Sequence, residues 1–102
     1  MIHGEEIKYV KEQLSTRALL EGLAEEGAEM SQAALKLIRA IDGENPTPVS
    51  FAEACRKLAE EAGDVLAYLH LLDIGVPHLL VRDNPKWERW AERIKKERER
   101  RR

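Results

Sequence analysis

Apolar residues recur at helical spacing through two long segments of the chain. A helix turns about 100° per residue, so residues three or four apart share a face. On this spacing the first segment runs from about Arg17 to Ile41 and the second from Ser50 to about Leu72. The first stripe consists of Leu19, Leu23, Glu26, Met30, Ala33 and Leu37, and the second of Ala54, Leu58, Glu61, Val65, Tyr68 and Leu72. We predict two long antiparallel helices that carry these stripes.

Both segments have start and stop signals for a helix. Ser15 or Thr16 can cap the first segment, and Ser50 opens a capping box at the second. Gly43 can adopt the left-handed conformation that ends the first helix. The two prolines of the loop 42–48 prevent the helix from continuing.

Two shorter helices are predicted beside the long ones. Residues 5–14 place three apolar side chains on one face, and Asn84 and Pro85 can start a last helix as its cap and first residue. That last helix has an apolar line of Trp87, Trp90, Ala91 and Ile94 and a basic line of Lys86, Arg89 and Arg93. The predicted fold class is therefore all-α, a helical bundle with almost no strand.

The apolar arc of the first long helix is wider than a single neighbour can cover. Leu20, Ala34 and Ile38 extend it beyond the stripe. A chain of 102 residues allows one domain, residues 1–102, with a small margin of buried surface. We therefore expect oligomerisation to complete the bundle, as a homodimer or a homotetramer.

The composition limits the cellular locations and binding partners that we expect for the protein. The formal net charge of −2 indicates no overall bias toward nucleic acid, although the basic run 95–102 leaves a nucleic-acid binder as a weak alternative. No apolar run approaches the length of a membrane span, and the N-terminus lacks the features of a signal peptide. The single cysteine, Cys55, allows no intrachain disulfide. We expect a cytoplasmic protein that does not bind membranes.

Two acids on each long helix lie in or beside its apolar stripe. Glu26 and Glu61 are inside the stripes, and Glu29 and Asp64 lie at their edges. A buried carboxylate without a partner must be protonated, paired or bound to a metal. Four carboxylates from two helices would form an all-oxygen site suited to Mg²⁺ or Mn²⁺. The alternative is that they form ordinary surface ion pairs of small energy.

The acidic motifs also support a family resemblance. Residues Glu25–Glu29 read E-E-x-x-E and residues Glu61–Asp64 read E-x-x-D. These motifs and the sequence around them resemble the MazG-like family of all-α nucleoside triphosphate pyrophosphohydrolases. The surrounding sequence reads AEEGAEMSQAALKLIRAIDGENPTPVSF. The similarity is to the short stand-alone members common in phages and Gram-positive bacteria, and it covers roughly residues 17–94.

The resemblance implies an activity and a set of site residues. It implies hydrolysis of a nucleoside triphosphate between the α and β phosphates, which yields a nucleoside monophosphate and pyrophosphate. It implies Mg²⁺ ligation by Glu26, Glu29, Glu61 and Asp64, and contact of Lys86 and Arg89 with substrate phosphates. A carboxylate of the cluster can also serve as general base for the attacking water, and Glu29 and Glu25 are both candidates. Lys36 lies two turns beyond Glu29 on the same edge, where it either contacts a phosphate oxygen or is an exposed lysine.

A second class of function is consistent with the same residues. The wide stripes would then be interaction seams of a non-enzymatic helical assembly module, and the acids would form a structural ion-pair network. Stabilisation by metal together with release of pyrophosphate distinguishes the enzyme from the assembly module.

Overall fold

The computed structural model describes residues 3–43, 49–75 and 82–102. Helices α1 to α4 span Gly4–Gln13, Thr16–Asp42, Phe51–Leu71 and Lys86–Arg100. These described ranges contain no β-strand, which confirms the all-α prediction. Most of the predicted loop, residues 44–48, lies outside the described residues.

The start and stop signals of the two long helices act as predicted. The Ser15 hydroxyl oxygen accepts the amide hydrogen of Ala18 at 3.0 Å, and that of Ser50 accepts the amide hydrogen of Glu53 at 3.2 Å. Gly43 ends α2 with a φ of 68°, the left-handed conformation that glycine adopts most easily. Local chemistry therefore sets the lengths of α2 and α3.

Helices α2 and α3 form an antiparallel hairpin, the one extended helix–helix contact within the described ranges. Gly22 lies against Tyr68, whereas Ala33 and Ala54 line a common cavity further along the pair. Residue numbers therefore rise along α2 as they fall along α3. Every residue of the two predicted stripes is buried or half-buried, which confirms the inward faces.

A glycine of α2 lies directly against an aromatic ring of α3, a contact that the sequence did not reveal. A methyl group added at Gly22 would overlap the ring of Tyr68. Gly27 of the same helix has no such contact, because a methyl group there would meet nothing within 4 Å among the described residues.

The hairpin buries little of its apolar surface. Within the described residues the buried set is Leu19, Ala33, Ala54 and Glu61. Leu20 and Ile38, which extend the apolar arc of α2, are 48% and 52% exposed. The radius of gyration is 18.1 Å, against about 13 Å for a compact domain of this length. A single chain therefore covers the stripes of α2 and α3 but leaves the rest of the arc open.

Helix α1 is tied to the end of α3 by an ion pair, and α4 has a hydrogen bond at its own start. The Lys11 ammonium of α1 lies 2.6 Å from a carboxylate oxygen of Asp73, just past the end of α3. At the start of α4, the Asn84 side-chain oxygen accepts the amide hydrogen of Lys86 at 2.9 Å. Asn84 thus accepts a hydrogen bond from the first turn, but the prediction of its position is wrong by one residue, because the helix begins at Lys86 and Pro85 is the N-cap.

Candidate metal centre

Three carboxylates meet at the middle of the hairpin. Glu26 and Glu29, one turn apart, come from α2, and Glu61 comes from α3. Each has one carboxylate oxygen within 4.8 Å of the corresponding oxygen of the other two. Glu61 is 4% exposed, Glu26 is half-buried and Glu29 is exposed. The group therefore runs from the packed seam of the hairpin outward to its surface.

The two inner carboxylates each have an oxygen without a partner. Within the part of the chain that the structure describes, Glu26 Oε2 and Glu61 Oε2 are both buried and accept no hydrogen bond. Such an orphaned carboxylate oxygen is costly, because burial removes water and nothing replaces it. A cation at this position would remove the cost.

Crowding changes the acidity of Glu26. Burial first, and then the nearby charge of Glu29, raise the pKa of Glu26 from 4.5 to about 7. The charges of Asp64 and Glu61 raise the pKa of Glu26 further. Glu26 is therefore a group whose charge changes near neutrality.

A lysine that the sequence analysis did not single out contacts this group. Lys57 lies one turn before Glu61 on α3, and its ammonium is 2.9 Å from Glu61 Oε1. This hydrogen bond is the main cause that lowers the pKa of Glu61 and raises the pKa of Lys57. The available signal was the spacing of four residues between a basic and an acidic side chain.

The donor set fits a small hard cation. An octahedral Mg²⁺ ion with ligands at about 2.0–2.1 Å holds its most distant ligand oxygens about 4.2 Å apart. The carboxylate oxygens of Glu26, Glu29 and Glu61 lie within 4.8 Å of one another. Of three ligands only one pair can lie opposite each other, and adjacent ligand oxygens are about 2.9 Å apart, so some pairs would have to draw in by up to about 1.9 Å through side-chain rotation. The geometry and the all-oxygen chemistry both suit Mg²⁺ or Mn²⁺.

The remaining predicted acids lie further out. Asp64 is exposed and does not belong to the group of three, although its charge raises the pKa of Glu26. Glu25 is also exposed and is not part of the group. The structure thus brings together three of the four predicted metal ligands, with Asp64 close enough to act electrostatically.

A groove lined by both basic and acidic side chains adjoins the carboxylates. One cavity of about 260 Å³ is lined by Glu29, Gln32, Ala33, Lys36, Lys57 and Glu61. A second, of about 340 Å³, shares Ala33, Lys36 and Lys57 with it and continues past Arg56. Lys36 therefore lies beside the acids, where the sequence analysis expected it.

The two basic residues predicted on the last helix lie at a different cavity. Lys86 and Arg89 line a space of about 440 Å³ together with Trp90 and Arg93. The ammonium of Lys86 is 5.2 Å from the ring centre of Trp90, which stacks on Trp87 with centroids 5.8 Å apart. The residues that line the groove beside the acids do not include any of α4.

Comparison with known proteins does not assign the chain. No protein-family model matches it, and neither a curated protein nor a solved structure matches it significantly. Among the described helices, none is long and apolar enough to cross a lipid bilayer. The resemblance of the acidic motifs to the MazG-like family stays a prediction.

Proposed function

We propose that the chain is a Mg²⁺-dependent nucleoside triphosphate pyrophosphohydrolase of the MazG-like type. It would hydrolyse a ribo- or deoxyribonucleoside triphosphate to a nucleoside monophosphate and pyrophosphate. One observation carries most of the proposal. Two buried carboxylate oxygens, on Glu26 and Glu61, lie without partners inside a group of three acids. A structural ion-pair network would leave no reason for such orphans, whereas a cation site requires free oxygens.

Glu26, Glu29 and Glu61 would hold the ion, and Asp64 would join them or bind it through water. Mg²⁺ at this position supplies charge neutralisation and orientation to a bound triphosphate. Mn²⁺ offers similar ligand chemistry. The alternative was that these acids form ordinary surface ion pairs. The burial of Glu61, together with the resemblance, favours a metal site instead.

The side chains around the acids would share the remaining work. Lys36 lies in the adjoining groove, where its ammonium can donate to phosphate oxygens. Between the two candidate bases, the geometry favours Glu29 over Glu25. Glu29 is exposed to water yet has an oxygen within 4.8 Å of the inner acids, so it can accept a proton from water near the phosphate.

The protein is proposed to act as a homodimer or homotetramer. The open arc of α2, with Leu20 and Ile38 about half exposed, is the observation in favour. A second copy that packs along this arc would supply the core that the single chain lacks. The same observation favours the second candidate function, a non-enzymatic assembly module.

Hydrolysis of a panel of ribo- and deoxyribonucleoside triphosphates, with release of pyrophosphate as the readout, tests the enzyme against the module. We expect activity with Mg²⁺ or Mn²⁺ and its loss in excess chelator. Release of orthophosphate alone, or no hydrolysis of any nucleotide, would reject the proposal.

The variant Glu61→Gln tests the proposed ligand directly. It removes one charge at nearly constant volume, so the fold should persist while activity falls by at least about tenfold. Glu60→Gln, at the exposed neighbouring acid, is the matched control and should stay close to the parent. Near-normal turnover of Glu61→Gln would show that Glu61 is not a ligand.

A further inference from the structure

The contact between Lys57 and Glu61 places an ammonium group beside the proposed cation site. Its nitrogen is 2.9 Å from Glu61 Oε1, while Glu61 Oε2 is buried without a partner. The side chain of Glu61 is 5% exposed and that of Lys57 is 60% exposed. The carboxylate of Glu61 is thus paired with an exposed lysine through Oε1, while its buried Oε2 has no partner among the described residues.

Charge balance explains why a lysine stands there. Three carboxylates within 4.8 Å repel one another, and one of them is almost fully buried. Removing a buried carboxylate's partner is strongly destabilising, since the charge is left without compensation. Lys57 is the one cation that the described residues place in an ion pair with this group. It therefore compensates part of the charge when no metal is bound.

The ammonium of Lys57 also has space into which it can move away from Glu61. Its side chain lines both cavities of the groove that it shares with Lys36 and Ala33. Lysine carries its charge on a flexible four-carbon stem, so the ammonium can leave one partner for another without moving the backbone. The groove is open to water, and a released ammonium would be solvated there.

We propose that Lys57 is the resident counterion of the three carboxylates, and that a divalent cation binds by displacing its ammonium from Glu61. This inference rests on the metal site of the proposed function. Lys57 then sets how tightly the cation is held, because the metal must replace an existing ion pair. In this role Lys57 is a positioning residue for metal binding and does not depend on any contact with nucleotide.

The test is a calorimetric titration of metal-free protein with Mn²⁺, without nucleotide. In Lys57→Met the stem is kept and the competing charge is lost, so Mn²⁺ should bind more tightly. If the ion pair is formed about nine-tenths of the time, the gain is on the order of tenfold. Lys36→Met is the matched control, since it removes one positive charge from the same groove without touching Glu61. Its gain should be clearly smaller.

Each outcome decides the inference. Equal gains in the two variants would mean that only net charge matters, and weaker Mn²⁺ binding in Lys57→Met would mean that the lysine holds Glu61 in place for the metal. Either result would contradict the proposal that the cation displaces the Lys57 ammonium from Glu61. Binding by the parent with no gain in Lys57→Met rejects the inference alone. No Mn²⁺ binding by any variant rejects the metal site itself, and the inference with it.

Thermal unfolding provides a second readout that does not depend on titration heats. In chelator, Lys57→Met should unfold at a lower temperature than the parent, because the acids have lost their counterion. Saturating Mn²⁺ should close most of this gap. A gap that is the same with and without Mn²⁺ would assign Lys57 a purely structural role.

Discussion

The buried carboxylate of Glu61 lowers the stability of the fold, yet it lies where it can bind a cation. It occupies a stripe position that would otherwise hold an apolar residue, with Leu58 and Val65 on either side along α3. Its burial removes water from a carboxylate that Lys57 only half satisfies. A protein selected for stability alone would place leucine here, so the acid is best explained by binding.

The acidity of Glu26 predicts a pH dependence of stability. Its folded pKa of about 7 exceeds the ordinary value of 4.5, so between these values the folded state binds more protons than the unfolded state. The stabilising contribution of Glu26 is therefore complete at low pH and is lost as the pH rises through about 7. Thermal unfolding of the metal-free protein at about pH 5 and about pH 8 measures this loss.

The variant Glu26→Gln should show a smaller difference in melting temperature between the two pH values than the parent. Glu25→Gln, at the exposed neighbour, should behave as the parent does. Added Mg²⁺ should stabilise the parent more at the higher pH, because the ion needs ionised ligands. An unchanged pH dependence in Glu26→Gln would mean that Glu26 does not titrate near neutrality.

At the scale of helices, Gly22 of α2 lies directly against the ring of Tyr68 on α3. In Gly22→Ala the new methyl group would overlap the ring of Tyr68, and we expect a loss of about 1–3 kcal/mol in the free energy of unfolding. Gly63→Ala is the matched control, since a methyl group there meets nothing within 4 Å. The control should gain up to about 1 kcal/mol from helix propensity. Denaturant unfolding checks both values.

If Gly22→Ala is as stable as the control, the ring of Tyr68 can move aside at no cost. The spacing of α2 and α3 would then be set elsewhere. Comparison of the near-ultraviolet spectra of the two variants would show whether the tyrosine changes its surroundings.

The second prediction at the scale of helices concerns α4. We expect the acidic side chains to bind the metal and the basic side chains of α4 to bind the nucleotide. Lys86→Ala and Arg89→Ala should raise the KM for nucleotide on the order of tenfold, because the resemblance implies that each donates to a substrate phosphate. The affinity of the free protein for Mn²⁺ should stay unchanged, since these residues line a cavity apart from the acids. Steady-state hydrolysis and calorimetric titration measure the two effects.

The matched control on the same helix is Arg98→Ala, three turns from Lys86 and outside that cavity. It should leave both quantities as in the parent. Glu26→Ala and Asp64→Ala should weaken metal binding and nucleotide use together. If the Lys86 and Arg89 variants hydrolyse nucleotide as the parent does, α4 is structural. The phosphate contacts then come from Lys36 or from another subunit.

At the scale of the whole molecule, the open arc of α2 predicts an obligate oligomer. Ile38→Glu places a charge on the surface that a second copy should cover, and the dissociation constant should rise at least about tenfold. Arg39→Glu introduces the same side chain one residue further round the helix, on an exposed position, and should leave the assembly intact. Light scattering at micromolar concentration measures the particle mass. A monomeric parent would contradict the prediction.

The helices and their inward faces were predictable because both depend on local chemistry. Serine caps, the terminating Gly43 and the spacing of apolar residues act within a few positions along the chain. The structure confirms the serine caps and places every stripe residue in a buried or half-buried position. The position of Glu26 and Glu61 within those stripes already indicated that acids face the seam.

What the sequence alone determined is therefore which residues are helical and which face turns inward. The tertiary structure decided how the two faces meet. Only the register of the hairpin shows that Gly22 contacts Tyr68, that Glu29 joins the inner acids while Asp64 stays outside the group, and that Lys57 pairs with Glu61. Helical spacing places residues around one axis, whereas these distances depend on how two helices slide and rotate against each other, which packing alone sets.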